Sequence, residues 1–390
     1  MNRLIYNTFV KDPENIKDPK VRENYGKVAG IIGILTNTCL FAFKFFAGII
    51  SGSIAIIADG LNNLSDASSS IITFVGFKLS AKPEDKEHPY GHARLEYITG
   101  NIIAVIIVVM GVELFRTSLE KTINPSPIVF STTALLIVII SIPVKMLLSS
   151  FYNYGSKKIG SISLKVSAMD SLLDVLATTF ALASLVLYKL TGFLVDGPMG
   201  IMVSLFIIFS GIQMIKETVS PLLGEAPDSE LVQQIKKNVL SHKGILGIHD
   251  LFIHSYGPGK TFVTLHAEVD ADTSLVEAHF LIDTIEREIK RTMDLDITIH
   301  LDPLDVKNPD LLTFSREAME LTESLPGVSH MHDIHFVKSE DHTIIQFDLY
   351  LSQDCKLSQE EVLSEYQKIA NQFDGDFRVD IDFGNSCTDI

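Results

Sequence analysis

Six long apolar runs lie before about residue 220 and none lies after it, and this asymmetry constrains the fold more than any other feature. The runs cover residues 28–50, 54–79, 97–115, 128–151, 162–187 and 199–215. Each is near or above the ~20 residues with which an α-helix crosses a bilayer. They predict a six-helix transmembrane domain over residues 26–220, after a short arm over residues 1–25, with both ends on one side. Basic residues say which side. The arm carries Arg3, Lys11, Lys17, Lys20 and Arg22, Lys27 follows it, and the loops after spans two and four add Lys82, Lys86, Arg94, Lys157, Lys158 and Lys165. The opposite loops offer only Arg116, Lys121 and Lys189. By the positive-inside rule both termini are cytoplasmic. The first run starts too late and is too long for a cleavable signal peptide, so the expectation is an integral protein of the plasma membrane.

Charge divides at the same boundary. Residues 1–220 hold 19 basic and 16 acidic groups, a net of +3, and residues 221–390 hold 13 and 32, a net of −19. An acidic tail excludes nucleic acid as a partner and suits cations. Cys39, Cys355 and Cys387 are too few and too scattered for a disulfide framework. The tail reads as helix, two strands, helix, strand over residues 221–305, an order that suits a small open sheet with helices on one face. The order then recurs. GILGIHDLFIHS (244–255) matches GVSHMHDIHFVK (327–338) at a spacing of 83, and TFVTLHAEV (261–269) matches TIIQFDLYL (343–351) at 82. Residues 306–390 are therefore expected to be a second, degenerate copy of the 221–305 domain. At equivalent positions His249 becomes His332, His266 becomes Asp348, His279 becomes Glu361 and His300 becomes Asp382. The carboxylates of the second copy read as surface acidity rather than as a harder cation site.

Polar residues inside the spans are where function is to be sought. The second run contains ADGLNNLSDASSS (58–70), and an ionisable side chain at mid-membrane costs roughly 2.5–3.5 kcal/mol on insertion scales. Asn62 and Asp66 stand four apart and share a helix face; in the fifth run Asp170 and Asp174 repeat the spacing. Two such pairs are enough for a four-ligand site where their helices meet. Three carboxylates and an amide oxygen are hard donors, suited to Mn²⁺, Mg²⁺ or Ca²⁺ rather than to Zn²⁺ or Cu⁺. Asp59 and Asn63 fall off this face and read as structural, and Lys44 reads as snorkelling to the outer surface. Asp196 reads as the N-cap of the sixth span.

These pairs, the run P-x-D-x-x-H-P-Y-G-H in the next loop, and six spans followed by a small soluble domain resemble the cation diffusion facilitator family over residues 26–303. The resemblance implies a homodimeric exporter of divalent cations, commonly coupled to protons, with a ferredoxin-like cytoplasmic domain and no enzymatic activity. The fold class it implies is an α-helical membrane protein followed by α+β ferredoxin-like cytoplasmic domains, two in tandem. It implies a transport site at Asn62, Asp66, Asp170 and Asp174. Zinc-transporting members typically carry His in these pairs, so the combination here looks like the manganese branch, with zinc, iron and cadmium as the alternatives. By the same resemblance Asp85, His88 and His92 form a loop cation site; the bland reading is a turn. His249, His266, His279, His300 and Asp302 resemble the family's regulatory cytoplasmic metal ligands at the dimer interface; the bland reading is exposed strand residues. No prosthetic group is implied: the divalent cation is substrate.

Three close carboxylates in low dielectric repel, so the empty site is expected to hold a proton that metal binding releases, the logic of antiport. An intramembrane aspartyl protease also places aspartates on two helices, but it needs one facing pair and no amide. A non-transporting metal sensor would leave both membrane pairs free to decay, and both are filled.

Overall fold

The computed structural model describes residues 1–16, 18–51, 54–125, 132–352 and 354–384; Lys17, Cys387 and the start of the fourth expected span lie outside them. The chain divides into two compact units, residues 1–225 with 255–260, and residues 226–254 with 261–390.

The N-terminal arm is not a tail. It forms helix α1 (Asn2–Phe9), and Asp18 then caps the helix α2 (Pro19–Ser51), its Oδ1 accepting from the Lys20 N–H at 2.8 Å. Proline at the first helical position is pre-organised for that start. The expected boundary at residue 25 therefore falls inside a helix. The arm reads as basic in the sequence, but Tyr6 is fully buried and stacks on Tyr25 at 4.6 Å and on Phe151 at 4.4 Å.

Five further helices complete the first unit: α3 (Ile54–Ser80), α4 (Leu95–Ile123), α5 (Thr132–Ile159), α6 (Ile162–Thr191) and α7 (Asp196–Leu223). Among the described residues five helices are long and apolar enough to cross a membrane, namely α2, α4, α5, α6 and α7, against the six expected. The exception is α3. It is helical over 27 residues, but Asp59, Asn62, Asn63, Asp66 and the serines at 68–70 interrupt its apolar surface. Large apolar side chains such as Leu35, Phe46, Val109, Leu205 and Phe209 are exposed on α2, α4 and α7, as a lipid-facing surface requires.

Close approach of helices sets the site's geometry. α2 lies along α3, α4 along α7, and α5 along α6. At Gly30 a Cβ would stand 2.7 Å from the Phe74 Cβ and 2.9 Å from its Cα, so only glycine fits there. Buried hydroxyls then tie α3 to its neighbours: Ser70 Oγ lies 3.2 Å from Tyr152 Oη on α5, and Thr73 Oγ1 lies 3.2 Å from Ser167 Oγ on α6.

In the second unit, α8 (Ser229–Leu240), β1 (Ile245–Ser255), β2 (Thr261–Asp270), α9 (Leu275–Met293) and β3 (Asp296–Leu304) are followed by α10 (Pro309–Ser324), β4 (Val328–Lys338), β5 (Thr343–Leu351), α11 (Gln359–Ala370) and β6 (Phe377–Gly384). The strands make two three-stranded sheets of the same order, β1-β2-β3 and β4-β5-β6. In each the last pair is parallel, and the intervening helix supplies the crossover that a parallel pair needs. Equivalent caps start those helices: the Ser274 and Ser358 hydroxyls accept from the N–H groups of Glu277 and Glu361. Along β2, Val263, Leu265 and Ala267 are buried in one core with Ile235 of α8 and Ile285 of α9, and Val269 is buried as well. Period-two alternation puts His266 and Glu268 on the opposite face, away from the helices.

Gly30→Val forces the α2–α3 contact apart and is expected to destabilise the chain by about 1–3 kcal/mol. A thermal melt of the detergent-purified protein checks this, and an unchanged midpoint would contradict the close approach.

Candidate functional site

α3 and α6 bring Asn62, Asp66 and Asp174 to the wall of one cavity, with Lys145 of α5 between them. Lys145 Nζ lies 2.7 Å from Asp66 Oδ2 and 2.6 Å from Asp174 Oδ2, and the residue is only 5% exposed. The cavity amounts to about 20 Å³, room for roughly one water-sized body. A cation bound by both carboxylates and the ammonium group would compete for the same space. Asp170, one turn before Asp174 on α6, does not line this cavity but lies within electrostatic reach of Asp66, Asp174 and Lys145. Three of the four expected residues thus meet directly and the fourth stands one turn away.

Lys145 has no i,i+4 partner in its own run and goes unnoticed in the sequence. The only signal is a single charge in IPVKMLL, near the middle of an otherwise apolar span. Lys44 is a correction. Rather than snorkelling it is buried, and its Nζ pairs with Asp59 Oδ2 at 2.8 Å. Asn63 donates to the Asp59 carbonyl at 2.8 Å, which ties it to its own helix. Asp196 is likewise not the cap: α7 begins at Asp196, with Val195 in the capping position, and Asp196 Oδ2 pairs with Lys121 Nζ at 2.8 Å.

Between α3 and α4 the structure gathers Asp85, His88 and His92. Asp85 Oδ1 accepts from the N–H groups of His88 at 2.7 Å and Glu87 at 3.0 Å. The His88 backbone bond chiefly holds the Asp85 carboxyl below its usual range. His92 Nδ1 donates to the Pro83 carbonyl at 3.1 Å, leaving Nε2, 3.4 Å from Asp85 Oδ2, free to accept or to ligate. The turn and the cation site are compatible, because the backbone bonds that make the turn also orient the carboxylate.

On the helix-free face of the first sheet, register aligns His266 with His300 and Glu268 with Asp302. Asp302 is the hub: its Oδ2 lies 2.9 Å from His266 Nδ1 and 3.2 Å from His249 Nε2, and its Oδ1 lies 3.3 Å from His300 Nε2. His249, His266 and Asp302 have the spacing of metal ligands. His279 is not brought there: it is exposed on α9, which packs against the other face. Burial opposes charge on His249, but the carboxylates of Asp302 and Asp250 outweigh it and raise its pKa. Burial would raise Asp302, yet His249 and His266 hold it below its usual range.

The sign of the pH dependence follows. The His249 contribution is complete below the unfolded value of about 6.5 and is lost as pH rises through the raised folded value. The Asp302 contribution is complete above the unfolded value of about 3.9 and is lost as pH falls through the depressed one. The metal-free chain should therefore lose thermal stability as pH rises above about 6.5 more steeply than the His249→Asn variant. An equal or reversed slope would contradict the assignment.

The model of the cation efflux transmembrane domain matches residues 30–223, and that of the cation efflux cytoplasmic domain matches residues 227–304. An uncharacterized transporter of Methanocaldococcus jannaschii is 29% identical over 276 residues, 70% of this chain and 97% of that protein. The cation-efflux pump FieF of Salmonella typhi is 28% identical over 291 residues, 73% of this chain and 96% of that protein. Neither family model extends past residue 304, so the second repeat lies outside both. The chain carries the membrane and cytoplasmic domains of the cation efflux family in their proper order and belongs to that family of transporters.

Proposed function

We propose that this chain exports Mn²⁺ from the cytoplasm by alternating access. The observation that carries the reading is the donor set: Asn62, Asp66 and Asp174 offer only oxygen to the cavity, with a cation, Lys145 Nζ, already seated between the two carboxylates. Oxygen donors favour Mn²⁺ over Zn²⁺, which prefers imidazole and thiolate. In this reading α3 crosses the membrane as the sixth span, its polar face turned inward, and both termini are cytoplasmic in a plasma-membrane protein. The cytoplasmic repeats are ferredoxin-like domains in tandem, and the domain at 227–304, whose family model is named for dimerisation, pairs two chains. His279, exposed on α9, is then available to a partner chain.

The charges account for coupling. Asp66, Asp170 and Asp174 with Lys145 leave two uncompensated negative charges, the complement of one divalent ion. A cation entering the cavity pushes the ammonium aside and binds the freed carboxylates. After release the ammonium returns, and protons balance the charges it does not cover. The loop and cytoplasmic clusters bind cations on the supply side, where the acidic tail concentrates them. Zinc, iron or cadmium export by the same route is the neighbouring reading, and a non-transporting sensor the distant one.

Proteoliposomes loaded with a metal-sensitive dye test this. Mn²⁺ flux well above Zn²⁺ flux, abolished by Asp174→Ala, is the expected result. Zinc flux equal to or above manganese flux would overturn the selectivity. Absence of any flux, with binding to the soluble unit intact, would overturn transport itself.

A further inference from the structure

We propose that the second repeat completes a cation site with the first, built from His249 and Asp250 of β1 and His332 of β4, and that a divalent transition-metal ion bound there clamps the two repeats together. The inference goes beyond the transport reading and does not depend on which ion the membrane site carries.

Geometry comes first. One ligand atom from each of His249, Asp250 and His332 falls within 4.8 Å of the others. The two imidazoles stack with centroids 4.6 Å apart and planes 24° apart, and His332 Nε2 lies 3.5 Å from Asp250 Oδ1. His249 and His332 are both largely buried, with side chains 7% and 15% exposed.

Second, the site has unspent ligand atoms. His332 Nδ1 is buried without a hydrogen-bond partner among the described residues, and His249, whose Nδ1 lies 3.4 Å from Asp250 Oδ2, has at Nε2 only the Asp302 carboxylate 3.2 Å away. Buried polar atoms normally find partners, and buried imidazole nitrogens gathered beside the Asp250 carboxylate are what a cation would satisfy. The surroundings are negative: the carboxylates of Asp302 and Asp333 act on Glu268, and those of Asp333, Asp382 and Asp250 act on Asp348.

Third, the two histidines are the same residue in two copies of one domain, 83 positions apart. Each is followed by an aspartate with positive φ, 47° at Asp250 and 55° at Asp333, so both edge strands bend at the same place. Equivalent residues meet across the axis of a two-fold pairing, and the stacked histidines with their matching bends fit such a pairing of the repeats, in which one ion reaches both.

Two imidazoles and one carboxylate suit first-row transition ions such as Zn²⁺ or Mn²⁺ better than Mg²⁺ or Ca²⁺. A neutral His249 ring has a single lone pair and serves one ion. Its assignment here leaves His266, His300 and Asp302 for the neighbouring cluster.

The linker between the repeats supplies the test, because Lys307 is well exposed between β3 and α10 and trypsin cleaves after lysine. Full-length protein in detergent is digested with and without Zn²⁺ or Mn²⁺. When opening precedes cleavage, the rate follows the open population, so an ion at about ten times its dissociation constant should slow cleavage at Lys307 about tenfold. His266→Ala should keep that protection. His332→Ala should lose it while cleaving at the wild-type rate without metal, and Asp250→Asn serves where His332→Ala does not fold. Protection that survives both His332→Ala and Asp250→Asn, or that neither ion confers on the wild type, would overturn the proposal.

Discussion

One ammonium group organises the membrane site. Lys145, on the middle turns of α5, is shielded from solvent and held by Asp66 of α3 and Asp174 of α6. Burying a charge is tolerable only with its partner in place, and removing one member of such a pair costs far more than the pair contributes. Three helices are therefore held by a mutual requirement, and the hydroxyl contacts of Ser70 with Tyr152 and of Thr73 with Ser167 keep the same helices in register. The carboxylates cannot take up a cation without releasing the lysine. In the proposed cycle the carrier thus always moves with a positive charge in its seat, either the ion or the side chain.

The soluble unit solves a different problem with different donors. Its first sheet gathers imidazoles around Asp302 on the face opposite α8 and α9, a softer donor set than the membrane cavity holds. The membrane cavity presents oxygen alone.

Much of this was legible because it is periodic. Spacing of four paired Asn62 with Asp66, which line one cavity, and Asp170 with Asp174, of which only Asp174 lines it. The spacing of 83 pointed to a second copy, and the two sheets have the same strand order. What escaped has no period. A lone lysine in an apolar run shows nothing of what lies across the helix interface, so Lys145 was missed and Lys44 was sent to the wrong place. Tyr6 looked like part of a basic arm because the aromatic residues it stacks on are far along the chain. The meeting of His249 with His332 depends on how two copies pack, which neither copy's pattern records.

The central claim is that Lys145 substitutes for the transported ion when the carrier is empty, and Lys145→Met tests it most directly. In proteoliposomes, net Mn²⁺ flux requires return of the empty carrier, whereas exchange of labelled for unlabelled Mn²⁺ does not. The account predicts that the variant loses net flux by about tenfold or more, the equivalent of ~1.4 kcal/mol on the return step, while exchange persists. Loss of both in equal measure from a folded protein, or retention of both, would contradict it.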